Sequence, residues 1–130
     1  MMFFDQAYRQ TFDTAPSTFD VNGYDFVMIA ALAIEHAGVN NNTVDPTPAM
    51  VKDSLRAVMN SPGEKVGPKD LVKALALIRA GEAIDYSGSY GDNDWDENGD
   101  IKGEITYNIL SINPSTGQWQ TIYQEQLFVP

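Results

Sequence analysis

The densest run of metal-seeking side chains is Asp92-x-Asp94-x-Asp96-x-Asn98-Gly99-Asp100. Aligned from Asp94 it reads D-x-D-x-N-G-D, the opening of an EF-hand-type calcium loop. Oxygen ligands two residues apart and a glycine at the sharp turn are what hard, oxygen-seeking Ca²⁺ needs. On that reading Asp94, Asp96, Asn98 and Asp100 are the ligands. Two features argue the other way. The position where such a loop places its bidentate glutamate is Ile105, with Glu104 one residue early, and the residues that follow alternate like a strand rather than a helix. The alternative is a tight Asn-Gly turn between extended segments. Apart from calcium no cofactor is expected.

Other constellations are weaker. His36 is the single histidine, so any histidine-based chemistry rests on it, and no serine, lysine or second histidine is spaced to suggest a partner. Glu35-His36 closes an apolar helical stretch, where a cation suits the helix C-terminus, so a capping or surface role is expected. Asp85 and Asp96 form a conceivable acid/base pair for glycoside chemistry, but with 18 acidic residues such pairs arise by chance. Trp95 and Trp119, with Tyr107 and Tyr123, read as strand packing rather than a sugar platform. Gly88, Gly91, Gly99 and Gly103 match no phosphate-binding fingerprint. With no nucleophile–base set, an enzyme is not expected.

Composition sets the frame. The chain has 130 residues with 43% apolar side chains, enough for a folded core. Its formal net charge of -10 repels phosphate backbones and anionic lipid, so nucleic-acid and membrane-surface roles are not expected. Cysteine is absent, which removes disulfides and thiolate sites. Met1-Met2-Phe3-Phe4-Asp5 has neither the basic nor the apolar region of a signal peptide, so any targeting signal is expected outside this piece.

Helices occupy the first two-thirds. Phe4, Tyr8 and Phe12 form one stripe on a helix of about residues 3–12, ended by Ala15-Pro16-Ser17. Asn22 is the expected cap of a second helix running to about Ala37, with Gly38 as its stop. Thr47-Pro48 opens a third, to about Met59, burying Val51, Leu55, Val58 and Met59. Asn60-Ser61-Pro62-Gly63 breaks it. Gly67-Pro68 starts a fourth, with Leu71, Val72, Leu75 and Ile78 inward and Gly81 at its end. Ile84-Asp85-Tyr86 is extended, and a polar loop covers residues 87–103. Ile105, Tyr107 and Ile109 then alternate as a strand, Asn113–Gly117 is a hairpin loop, and Trp119, Thr121 and Tyr123 return.

One element does not fit a self-sufficient fold. Phe26 to Ile34 is apolar at nine consecutive positions, so the second helix is apolar all round and must be covered on several sides. A two- or three-stranded ribbon offers little cover. Either the helices pack mainly on one another, or a larger parallel sheet belongs with this segment. In the second case the piece alone exposes apolar surface and self-associates.

Four segments in order resemble the C-terminal part of type 1 periplasmic binding proteins of the leucine/isoleucine/valine-binding kind. They are Phe4-x-x-x-Tyr8-x-x-x-Phe12 with Pro16; Tyr24-Asp25 opening the helix that ends Ala33-Ile34-Glu35-His36-Ala37-Gly38; Pro62-Gly63-x-x-Val66 with Ala74-Leu75 and Gly81-x-x-Ile84-Asp85-Tyr86-x-Gly88; and Trp95 to Gly103 running into a strand pair. The resemblance spans residues 3–122. It implies an α/β fold, here a fragment of about four helices followed by a C-terminal antiparallel strand pair, with residues 1–130 forming a single partial domain. It further implies the solute-binding component of a bacterial ABC uptake system for branched-chain amino acids or related small amides. Its partners would be a small polar solute, bound in the full-length protein, and a membrane permease. Its place would be the periplasm or the cell surface, and a sensor ectodomain is the variant role. One ligand-binding position carries over, an aromatic five residues before the helix-opening tyrosine, which is Phe19 before Tyr24; the alternative is that Phe19 is a core or hinge residue. The reading from another class is a free-standing, calcium-stabilised extracellular interaction module.

Overall fold

The computed structural model describes residues 3–60, 62–89, 91, 92 and 94–129, and the side chain of Thr18 is outside that description. They form α1 (Phe3–Phe12), α2 (Thr18–Asn40), α3 (Pro48–Met59), β1 (Glu64–Val66), α4 (Leu71–Arg79), β2 (Ile84–Tyr86), β3 (Gly103–Ile112) and β4 (Trp119–Val129). The class is α/β: four helices, a short parallel pair β1–β2, and an antiparallel pair β3–β4. The chain divides into two compact units, one up to Trp95 and one from Asp96 onward.

In the first unit α2 lies against α3 and α4, and α3 and α4 border the β1–β2 pair. β1–α4–β2 is a parallel βαβ crossover in register Glu64↔Ile84, Lys65↔Asp85, Val66↔Tyr86. Gly63 makes this pairing fit, because a Cβ there would stand 2.3 Å from the Ile84 carbonyl carbon. The core gathers Met28, Ile29, Leu32 and Ala33 of α2 with Val58, Met59, Val66, Ala74, Ile78, Ile84 and Tyr86. Trp95 packs against this cluster, and its backbone is gripped by Asn60. The Asn60 Nδ2 donates to the Trp95 carbonyl at 2.7 Å, and the Trp95 N–H donates to Asn60 Oδ1 at 2.9 Å. α1 buries no residue fully. Its aromatic stripe stacks on itself, Phe4 on Tyr8 and Tyr8 on Phe12, and Phe4 reaches Tyr24 at 4.9 Å between ring centroids.

Several boundaries differ from the sequence expectation. α2 begins at Thr18, because Ser17 and Asp20 form a capping box upstream of Asn22: the Asp20 N–H donates to Ser17 Oγ, and the Ser17 N–H donates to Asp20 Oδ2. It also runs past Gly38 to Asn40, where Asn41 ends it. α4 begins at Leu71, because Gly67–Asp70 closes as a turn, with the Asp70 N–H on the Gly67 carbonyl and the Gly67 N–H on Asp70 Oδ2. Within α4 the buried positions are Ala74 and Ile78, while Val72 is 83% exposed: the apolar face follows residues 71, 74, 75 and 78. β1, paired to a strand eighteen or more residues along the chain, was not expected from the sequence. α3 and its Thr47 cap with Pro48 at the first turn are as expected, and Val51 and Leu55 are half-buried.

The second unit is a turn followed by a ribbon. In β3–β4 the residues Ile105, Tyr107 and Ile109 pair with Leu127, Glu125 and Tyr123. A register shift after Ile109 then pairs Leu110 with Thr121 and Ile112 with Trp119. Side chains alternate along β3, so the apolar residues change face at that bulge. Most of the ribbon's large apolar side chains are exposed, Trp119, Tyr107 and Tyr123 among them. Tyr123 stands opposite Ile109 and Trp119 opposite Ile112 in the ribbon, whereas Trp95 packs in the helical core.

Candidate functional site

The capping box at Ser17 sets where α2 starts, and so places Phe19 in its first turn with 85% of its surface open. Gly23, Phe26, Val27, Ala30 and Ile34 follow at spacings of one helical face and are all exposed. The strip from Phe19 to Ile34 contains no polar side chain, whereas the opposite side of the same helix holds Met28, Ile29, Leu32, Ala33 and Ala37 in the core. Surface helices normally turn charged residues outward. At its far end the strip meets a groove of about 540 Å³ lined by Ile34, Glu35, Gly38, Val39, Val44 and Pro46. The first unit therefore presents a long apolar face, with the sequence-expected ligand residue Phe19 at one end.

The acidic run behaves as a turn. The Asp96 carboxylate accepts the Asn98 N–H at 2.8 Å and the Asp100 N–H at 2.9 Å, both on Oδ1, while Asn98 Nδ2 donates to Oδ2. These bonds, that from the Asp100 amide foremost, hold its pKa below the usual carboxylate value. Gly99 takes the left-handed conformation at φ 90° that an Asn-Gly turn requires. Among the described residues no group of three or more histidine, cysteine, aspartate or glutamate side chains is placed to hold a metal ion. Asp94 belongs to the first unit, and Asp96, Asn98 and Asp100 to the second.

Glu35-His36 does not end its helix, since α2 continues to Asn40. Glu35 pairs with Arg79 of α4 at 2.6 Å. His36 has a partner that sequence spacing did not suggest: its Nδ1 stands 2.9 Å from Oγ of Ser54 on α3. Burial lowers the His36 pKa. Ser54 is buried, and the contact ties α2 to α3. Asp85 is buried in β2.

Sequence reasoning also missed Asp25. It is 6% exposed, accepts the Tyr86 hydroxyl and the Ser89 N–H on Oδ1, each at 2.9 Å, and so joins α2 to the end of β2. Tyr86 is pushed far up from its ordinary pKa, by burial first and then by the Asp25 charge. A charged residue one position before a nine-residue apolar run was the available signal.

Among proteins of known role, this chain is similar to the chemotactic signal transduction system substrate-binding protein BasB of Halobacterium salinarum, 34% identical over 73 residues. The match takes in 56% of this chain and 16% of BasB, so the chain spans about a sixth of that relative. No family model matches the chain. No solved structure matches it.

Proposed function

We propose that this chain is the C-terminal part of a two-lobed solute-binding protein, with a branched-chain amino acid or a related small amide as its solute. The carrying observation is the open apolar face of α2, from Phe19 to Ile34, on a helix whose other side is already in the core. A parallel pair of three-residue strands is too small to stand as a sheet by itself. Both features are relieved if further parallel strands of a larger lobe lie on α2. The partial similarity to a substrate-binding protein supports the same reading. Function would then follow from hinge closure around the solute, without covalent chemistry.

In this reading Phe19 packs on the aliphatic part of the solute, and the protein works in the periplasm or on the cell surface. The partner is either a membrane permease or a signal transducer. The name of the similar protein favours the second, since it belongs to a chemotactic system. Unfilled, the α2 face makes the isolated chain self-associate.

Calorimetric titration with leucine, isoleucine and valine tests this on the longest natural gene product that contains the segment. Binding that Phe19→Ala weakens by about 10-fold or more supports it, as expected for an apolar group in a ligand pocket. A product that starts at Met1, stays monomeric and binds none of the three would overturn it. A calcium-induced rise in thermal midpoint, abolished by chelator, would instead favour the self-contained module.

A further inference from the structure

Asp25 poses a physical question. Burying a carboxylate is costly unless it is hydrogen-bonded, and an apolar residue of similar volume often serves stability as well. Here the carboxylate is buried at the start of a run in which every side chain is apolar, among core residues Met28, Ile29 and Tyr86. α1, α3 and α4 each have a distinct apolar face, but α2 has almost none, because its hydrophobic residues surround it. Burial of apolar area is non-directional. It therefore discriminates poorly between α2 packed with Leu32 and Ala33 inward and α2 rotated with Phe26, Ala30 and Ile34 inward.

A hydrogen-bond acceptor has direction. Asp25 Oδ1 meets two donors on one short stretch, the Tyr86 hydroxyl and the Ser89 N–H, both buried. Gly88 lies directly on the same carboxylate, and a Cβ at that position would stand 2.5 Å from Oδ2. A rotated α2 would turn Asp25 out of the core and leave the Tyr86 hydroxyl and the Ser89 N–H buried without their acceptor, a penalty that two nearly equivalent apolar faces do not offset. We propose that Asp25 is the positioning residue that sets the rotation of α2, and so decides which of its two apolar faces enters the core and which is left for a partner. This role does not depend on what the partner is. Buried polar groups that fix register in otherwise uniform apolar interfaces follow the same logic.

The absence of cysteine allows a direct test. Single cysteines at Ala30, exposed, and Ala33, fully buried, report the two faces through their rates of maleimide labelling. Labelling is done at a concentration where sedimentation shows monomer. With Asp25 present, position 30 should react at least about 100-fold faster than position 33, the protection expected of a buried site. In Asp25→Leu the ratio should fall to within about 10-fold while helix content by circular dichroism is retained, because both rotations become populated. Asp25→Asn keeps an acceptor oxygen and should hold the ratio, whereas Tyr86→Phe removes one donor and should lower it. If Asp25→Leu does not fold, the Asn and Phe variants decide. An unchanged ratio in the folded Leu variant, or equal ratios in the Asn and Phe variants, overturns the proposal.

Discussion

Leu32 and Phe26 lie on one helix and are both large and apolar, yet their truncation should differ sharply. Leu32 has no exposed surface, and Leu32→Ala should cost about 2–5 kcal/mol, the lost transfer energy plus the cavity left behind. Phe26 is 64% exposed, so only about a third of its side chain is out of water. Full burial of such a side chain is worth about 1.5–3 kcal/mol, and Phe26→Ser should therefore cost no more than about 0.5–1 kcal/mol. Urea unfolding followed by far-ultraviolet circular dichroism measures both, provided the two variants unfold with the same dependence on denaturant. Sedimentation in parallel should show that Phe26→Ser reduces self-association, which Leu32→Ala does not. A loss at Phe26 as large as that at Leu32 would mean that the chain covers its own α2 face, and the reason for invoking a larger sheet would vanish.

Asn60→Ala removes both bonds that hold the Trp95 backbone and should cost about 1–3 kcal/mol, with a red shift of tryptophan emission as Trp95 leaves the core. His36 gives a pH dependence with a definite sign. Its folded pKa is below the ordinary value of 6.5 because burial disfavours the imidazolium, so the unfolded chain binds the proton more readily. Its contribution is then complete above about pH 6.5 and is lost as pH falls toward the folded pKa. Urea titrations on either side of that value should show stability falling with acid, and the part due to His36 should disappear in His36→Gln.

Much of the helical part could be read locally. Thr47-Pro48 starts α3 because a side-chain acceptor and a residue without an N–H both suit a first turn, and the repeat of Phe4, Tyr8 and Phe12 marks α1. The hairpin was legible for a similar reason: Asn113 to Gly117 closes with Gly117 at φ 69°, and alternation identifies the flanking strands. The start of α2 was misjudged, since Ser17 and Asp20 make a reciprocal cap that outcompetes a single asparagine at position 22. The strand β1 was missed because three residues carry no period and their pairing is with Ile84 to Tyr86.

The candidate site divides in the same way. That α2 is apolar on every side follows from nine consecutive residue types and needs no coordinates. Which side faces the core, that His36 meets Ser54, and that Asp25 meets Tyr86 and Ser89 are decided only in three dimensions, because each contact joins residues far apart in the chain. Residue types determine how much apolar surface must leave water. Direction comes from hydrogen bonds between distant segments, and these exist only once the chain has brought their donors and acceptors together.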